Sequence, residues 1–143
     1  MKKYQGPATI IMRIALATGF LSAVASRLSL WGSHSSGWAG FLDYTKSVNS
    51  YAPASLVPVM AVVSTILETT FAILLLIGYK TRWSALGSSI LTLFFAISMA
   101  YSFGLKEPLD YSVFAFSASA FLLSTVPDYP LSIDQIIKKF RVN

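Results

Sequence analysis

The chain has 143 residues, 55% of them apolar and 12% charged, with a net charge of +5, no cysteine and a mean hydropathy of +0.63. That length accommodates one domain of several packed helices but not two ordinary cores. The missing cysteines exclude disulfide staples, thiol-disulfide catalysis by this chain and thiolate-held metals.

The apolar residues come in long blocks. Only Arg13 and Arg27 interrupt 8–31, only Glu68 interrupts 55–78, and 83–105 carries no charge; the run 109–126 has a charge only at Asp110. A soluble helix bundle would show a charged stripe every three or four residues, and these blocks do not. A span needs about 20 apolar residues. The pattern predicts an all-α integral membrane four-helix bundle, multi-pass in the lipid bilayer.

The N-terminus, with Lys2, Lys3, an apolar run and "AVA" at 23–25, imitates a cleaved secretory signal. Arg13 inside the apolar stretch, and the need for an even number of spans, argue for a retained first span starting near Pro7. Lys2, Lys3, Lys80, Arg82, Lys138, Lys139 and Arg141 then fall on one side, against Lys46 and Lys106 on the other. The positive-inside rule places both termini in the cytoplasm. The same distribution accounts for the positive charge without a nucleic-acid partner, which would call for a clustered basic face on a soluble domain.

The connection 32–54 is long for a bundle and is expected to be extracytoplasmic. Within it Trp38, Phe41, Leu42 and Thr45 share one face of a short helix, a lid over the bundle mouth or a docking surface. "GYKTR" makes the second and third spans antiparallel neighbours. On the third span Ser84, Ser88 and Thr92 recur every four residues, a small-residue stripe that lets helices approach closely. In the tail 131–141, Ser132 and Gln135 have capping-box spacing. Ile133, Ile136, Ile137 and Phe140 share a face, and Lys138 and Lys139 lie elsewhere. This reads as an amphipathic interfacial helix, with a disordered basic tail as the alternative.

Three charges fall inside the spans. Arg13 reads as snorkelling towards the headgroups, because helical side chains lean towards their own N-terminus. The same lean aims Arg27 towards the midplane, and aims Glu68, on the antiparallel second span, towards Arg27. A charge at midmembrane costs about 2.5 to 3.5 kcal/mol on insertion scales. Glu68 therefore pairs with Arg27 in a polar pocket, is protonated against a neighbouring helix, or pairs with Arg13. Arg13, Phe20 and Arg27 return to nearly one helix face. Phe20, Ser88, Thr92 and Tyr101 are candidate lining for a ligand pocket, with helix packing as the alternative. His34, the only histidine, lies in the loop. No metal site and no catalytic residue is assigned.

Two stretches, "RIALATGFLSAVASR" and "ETTFAILLLIGYKTR", with the ending "YPLSIDQII", resemble the DoxX family in the order and spacing of arginine, phenylalanine, glutamate, glycine and the Thr-Arg turn. The resemblance implies a small inner-membrane protein related to the membrane subunits of thiosulfate:quinone oxidoreductase. Three functions are weighed. The first is a non-catalytic subunit or anchor, docking protein partners or a second copy, whose pocket around Arg27 and Glu68 stabilises the bundle or holds a lipid-like or quinone headgroup. The second is a quinone-linked oxidoreductase subunit. The third is a small transporter or channel.

Overall fold

The computed structural model describes residues 2–142. The side chains of 1–3 and 141–143, and with them those of Lys2, Lys3 and Arg141, lie outside the described residues. The helices are α1 Lys2–Arg27, α2 Gly37–Val48, α3 Val57–Ile77, α4 Thr81–Phe103, α5 Lys106–Asp110, α6 Val113–Thr125 and α7 Ile133–Val142. Helices α1, α3, α4 and α6 form a ring. In it α4 packs most extensively on α6 and α1 on α3, with α3 against α4 and α1 against α6 closing the circuit.

The interior of this bundle is smaller and more polar than its exterior. Ala17, Ala61, Ala72, Ala85, Ala96, Ala120 and Ser88 are fully buried, and Ser84, Ser89, Thr92 and Ser117 lie with them inside. Ile66, Phe94 and Leu122 stand 59%, 64% and 61% exposed on the outside. In water that arrangement would expose most of the apolar payload, whereas in a bilayer small residues draw helices together and large ones face lipid. At the α4–α6 seam the Ser117 hydroxyl donates to the Ser89 carbonyl across 2.8 Å. The molecule is a helical membrane bundle.

Its spans differ from the sequence expectation at two places. Helix α1 ends at Arg27 rather than at residue 31, because Ser29 (φ 62°) and then Gly32 (φ 57°) adopt left-handed backbone that no continuing helix allows. The fourth expected span, 109–126, is cut down to the 13 residues of α6, about 20 Å of helix against a hydrocarbon core of roughly 30 Å. Ser112 (φ 55°) separates it from α5, and Val126 leaves it in extended backbone just before Pro127. Among the described residues three stretches are long and apolar enough to cross a membrane: Tyr4–Arg27, Ala54–Ile77 and Thr81–Phe103.

The long connection is not a bare loop. Helix α2 lies against α1, α3 and α4 with Thr45 and Val48 buried. Its far end is tied down where the Ser102 hydroxyl donates to the Val48 carbonyl at 2.6 Å.

At the opposite end of the bundle, α7 is fastened to the turn between α3 and α4. Gly78 (φ 68°) ends α3 in the left-handed conformation, and a Cβ there would collide with Ser132 and Arg13. The Asp134 carboxylate accepts the Lys80 and Thr81 amides, both at 2.7 Å, and the Asp134 amide donates to the Gly78 carbonyl at 2.9 Å. Asp134 thus caps the start of α4 from a distant segment, a negative charge at the positive end of a helix. Replacing it by alanine is expected to cost about 1 to 2 kcal/mol. Hydrogen exchange should then accelerate at the Lys80 and Thr81 amides and along α7, but not at the α4–α6 seam.

Candidate functional site

The charges at the Arg27 end meet because of chain direction. Cα–Cβ bonds tilt towards a helix's own N-terminus, so Arg27 leans back from the last turn of α1 while Glu68 on antiparallel α3 leans up to it. Arg27 Nη2 donates to both Glu68 carboxylate oxygens, at 2.8 and 2.9 Å. Its Nη1 donates to the Thr65 hydroxyl at 3.1 Å. Thr65 Oγ1 in turn donates to the Ala61 carbonyl at 2.8 Å. Glu68 is 1% exposed and Arg27 9%. The cation also favours the negative C-terminal end of α1, where it sits.

Helix α2 completes this cluster. The Phe41 ring lies 3.8 Å from the centre of the Arg27 guanidinium, a cation–π plate over the ion pair. A desolvated contact of this kind is worth about 2 kcal/mol. Phe41→Ala is therefore expected to leave the α1–α3 pair closed but loosen α2. Amide exchange should rise across 37–48 with little change in α3, and equal acceleration in both helices would count against the plate.

Arg13 does not join the pair. It is 3% exposed, and the snorkelling expectation is corrected by what surrounds it. Nε donates to the Leu75 carbonyl at 2.9 Å and Nη2 to the Leu76 carbonyl at 3.0 Å, both in the last turn of α3. Nη1 donates to the carbonyls of Pro130 and Leu131, at 2.9 and 3.2 Å. A helix end leaves its last carbonyls without intrahelical donors, and a guanidinium with five fixed N–H groups answers several at once. The charge is satisfied within the protein.

The other candidate lining residues scatter. Phe20 is buried edge-on against Phe116, with centroids 5.1 Å apart. The Ser88 and Thr92 hydroxyls donate to their own helix, at the Ser84 and Ser88 carbonyls, both at 2.8 Å. Tyr101, expected to line a pocket, is 71% exposed and packs edge-on against Tyr51 at the rim, because α4 turns that face outwards near its end. Sequence reading missed Thr65 as a partner, although it sits three residues before Glu68 on the same face. It placed Phe41 on the lid's face but gave it no role over Arg27. Among the described residues no group of three or more histidine, aspartate or glutamate side chains is placed to hold a metal.

Comparison with known proteins overturns the DoxX resemblance, since no DoxX family model matches the chain, and the quinone link inferred through it falls with it. The arginine spacing that contributed to it is accounted for by geometry. Fourteen residues return to nearly the same helix face, so an arginine at either end of a span suits any small bundle that must close both ends. Searches of the curated proteins and of the solved structures return no match. The family model for methylamine utilisation protein MauE matches residues 5–110, from α1 through α5 and so across Arg13, Arg27 and Glu68, and the chain belongs to the MauE family.

Proposed function

We propose that this chain is a non-catalytic accessory protein of methylamine utilisation, multi-pass in the inner membrane with both termini in the cytoplasm, which offers the α2 end of its bundle to protein partners. One observation carries the reading: the three charges buried inside the spans, Arg13, Arg27 and Glu68, are each committed to an internal bond. Glu68 is held by Arg27, and Arg13 by four backbone carbonyls. Such charges fix helix ends and register. A transport path would instead need polar groups turned towards a passage, and the Ser88 and Thr92 hydroxyls are directed at their own helix.

The orientation is supported by Lys80, Arg82, Lys138 and Lys139, which gather at the Arg13 end, against Lys46 and Lys106 at the other. Helix α7 fits the headgroup region of that leaflet, with Ile136 and Phe140 exposed at 55% and 79% beside the two lysines.

Cells lacking the chain should grow poorly on methylamine and normally on ammonium, and the wild-type chain should restore growth. The doubly substituted Arg27→Met, Glu68→Leu protein should restore it too, because a structural pair is replaceable by apolar packing. Equal growth of deleted and wild-type cells on methylamine would remove the accessory role. A folded double variant that fails to restore growth would give the pair a chemical task instead.

A further inference from the structure

An apolar cleft of about 230 Å³ lies between α2, α3 and α4. Its deeper wall includes Val48, Leu67, Leu91 and Phe95, and its roof includes Phe41, the residue that lies over Arg27. The mouth is on the flank of the bundle, where Val63 and Tyr44 are 48% and 45% exposed. We propose that this cleft is a lipid site that takes a segment of one acyl chain of a bilayer phospholipid, with α2 resting over it.

Three observations support that occupant. The first is the state of the polar groups in the wall. Thr45 Oγ1 donates to the Phe41 carbonyl at 2.8 Å, Asn49 Nδ2 to the Thr45 carbonyl at 2.9 Å and Ser64 Oγ to the Ala61 carbonyl at 3.0 Å. Asn49 Oδ1 accepts from the Tyr51 hydroxyl at 3.0 Å. With these groups already bonded inside the protein, the wall presents hydrocarbon and selects a guest that needs no hydrogen bond. The second is size. One turn of helix, about 5.4 Å long and 10 to 12 Å across, fills roughly 400 to 600 Å³, so a partner's membrane helix does not fit, whereas a segment of a single unbranched chain can lie in the cleft with the rest of the chain in the bilayer. The third is position, since the mouth opens beside Val63 among the outward-facing apolar residues of α3, where bilayer tails are the surrounding medium.

Tyr44 marks the polar end of the cleft. Burial, then Tyr111 and Glu107, hold its phenol above the ordinary value, so it is neutral at physiological pH and stands at the rim as a hydroxyl.

The test uses the purified full-length chain in vesicles of phosphatidylethanolamine and phosphatidylglycerol. These carry a trace of phosphatidylcholine with a diazirine on its acyl chain. After irradiation, adducts are mapped by mass spectrometry. Adducts are expected at Val48 and Leu91, inside the cleft, as well as at the outward-facing Phe94 and Ile97. Leu91→Trp, which fills the cleft, should abolish the Val48 adduct and leave those at Phe94 and Ile97 intact. Should that variant fold poorly, Leu91→Phe is expected to reduce the same adduct. Labelling confined to Phe94 and Ile97 in the wild-type chain overturns the proposal. So does a Val48 adduct that survives filling of the cleft in a folded variant.

Discussion

Glu68→Leu should destabilise the purified bundle by about 3 to 5 kcal/mol, the usual result of stripping one partner from a buried ion pair. Arg27→Met should cost a similar amount for the reciprocal reason, since it strands Glu68 at 1% exposure. The double replacement Arg27→Met, Glu68→Leu is expected to recover most of the loss, because neither residue then carries a charge into the apolar interior. Thermal or denaturant unfolding in detergent measures all four proteins. The sign of the coupling decides the matter: strong non-additivity marks a mutual pair, and additive single losses would mean that each charge is satisfied by other groups. Thr65 gives a graded control. Its hydroxyl accepts only one Arg27 N–H, so Thr65→Val should cost about 1 to 2 kcal/mol and leave the pair closed.

The lean of Arg27 and Glu68 towards each other was legible from chain direction and side-chain tilt, while a protonated Glu68 and a pair with Arg13 stayed open as alternatives. Once Lys80 and Arg82 mark one turn, α1 and α3 run antiparallel, and Arg27 and Glu68 must lean together. Arg13 was not legible, because its partners are backbone carbonyls. Pro130 and Leu131 lie far along the chain, and no side-chain pattern announces a carbonyl left over at the end of α3. The length of α6 misled for a related reason. Absence of charge from Tyr111 to Val126 says that the segment tolerates lipid, whereas its helical extent is set by Ser112 and Val126, whose backbone departs from the helix. Tyr101 shows the limit of composition as a guide to cavities, since an aromatic near a span end serves a wet rim as readily as a pocket.

Arg13→Met should be at least as damaging as the loss of Glu68, because it releases four carbonyls together: two at the end of α3 and two in the segment leading to α7. Hydrogen bonds from a charged donor contribute about 1.5 to 3 kcal/mol each, and those sharing one guanidinium fail as a unit, so a net loss of about 3 to 5 kcal/mol is expected. The informative variant is Arg13→Lys. Lysine keeps the charge and can still lean towards its helix N-terminus, but its three donors radiate from one nitrogen rather than from a planar fork. It can serve one of the two segments, not both. If the carbonyl clasp holds α3 to the 130–131 segment, lysine should recover only a minor part of the lost stability. Amide exchange should accelerate at residues 78–81 and through α7, where Asp134 depends on the same junction. Its cost should also be non-additive with Asp134→Ala, since both changes open that junction. If Arg13 acts instead as a charge reaching the headgroups, lysine does that work equally well, and the Arg13→Lys protein should unfold with the wild type.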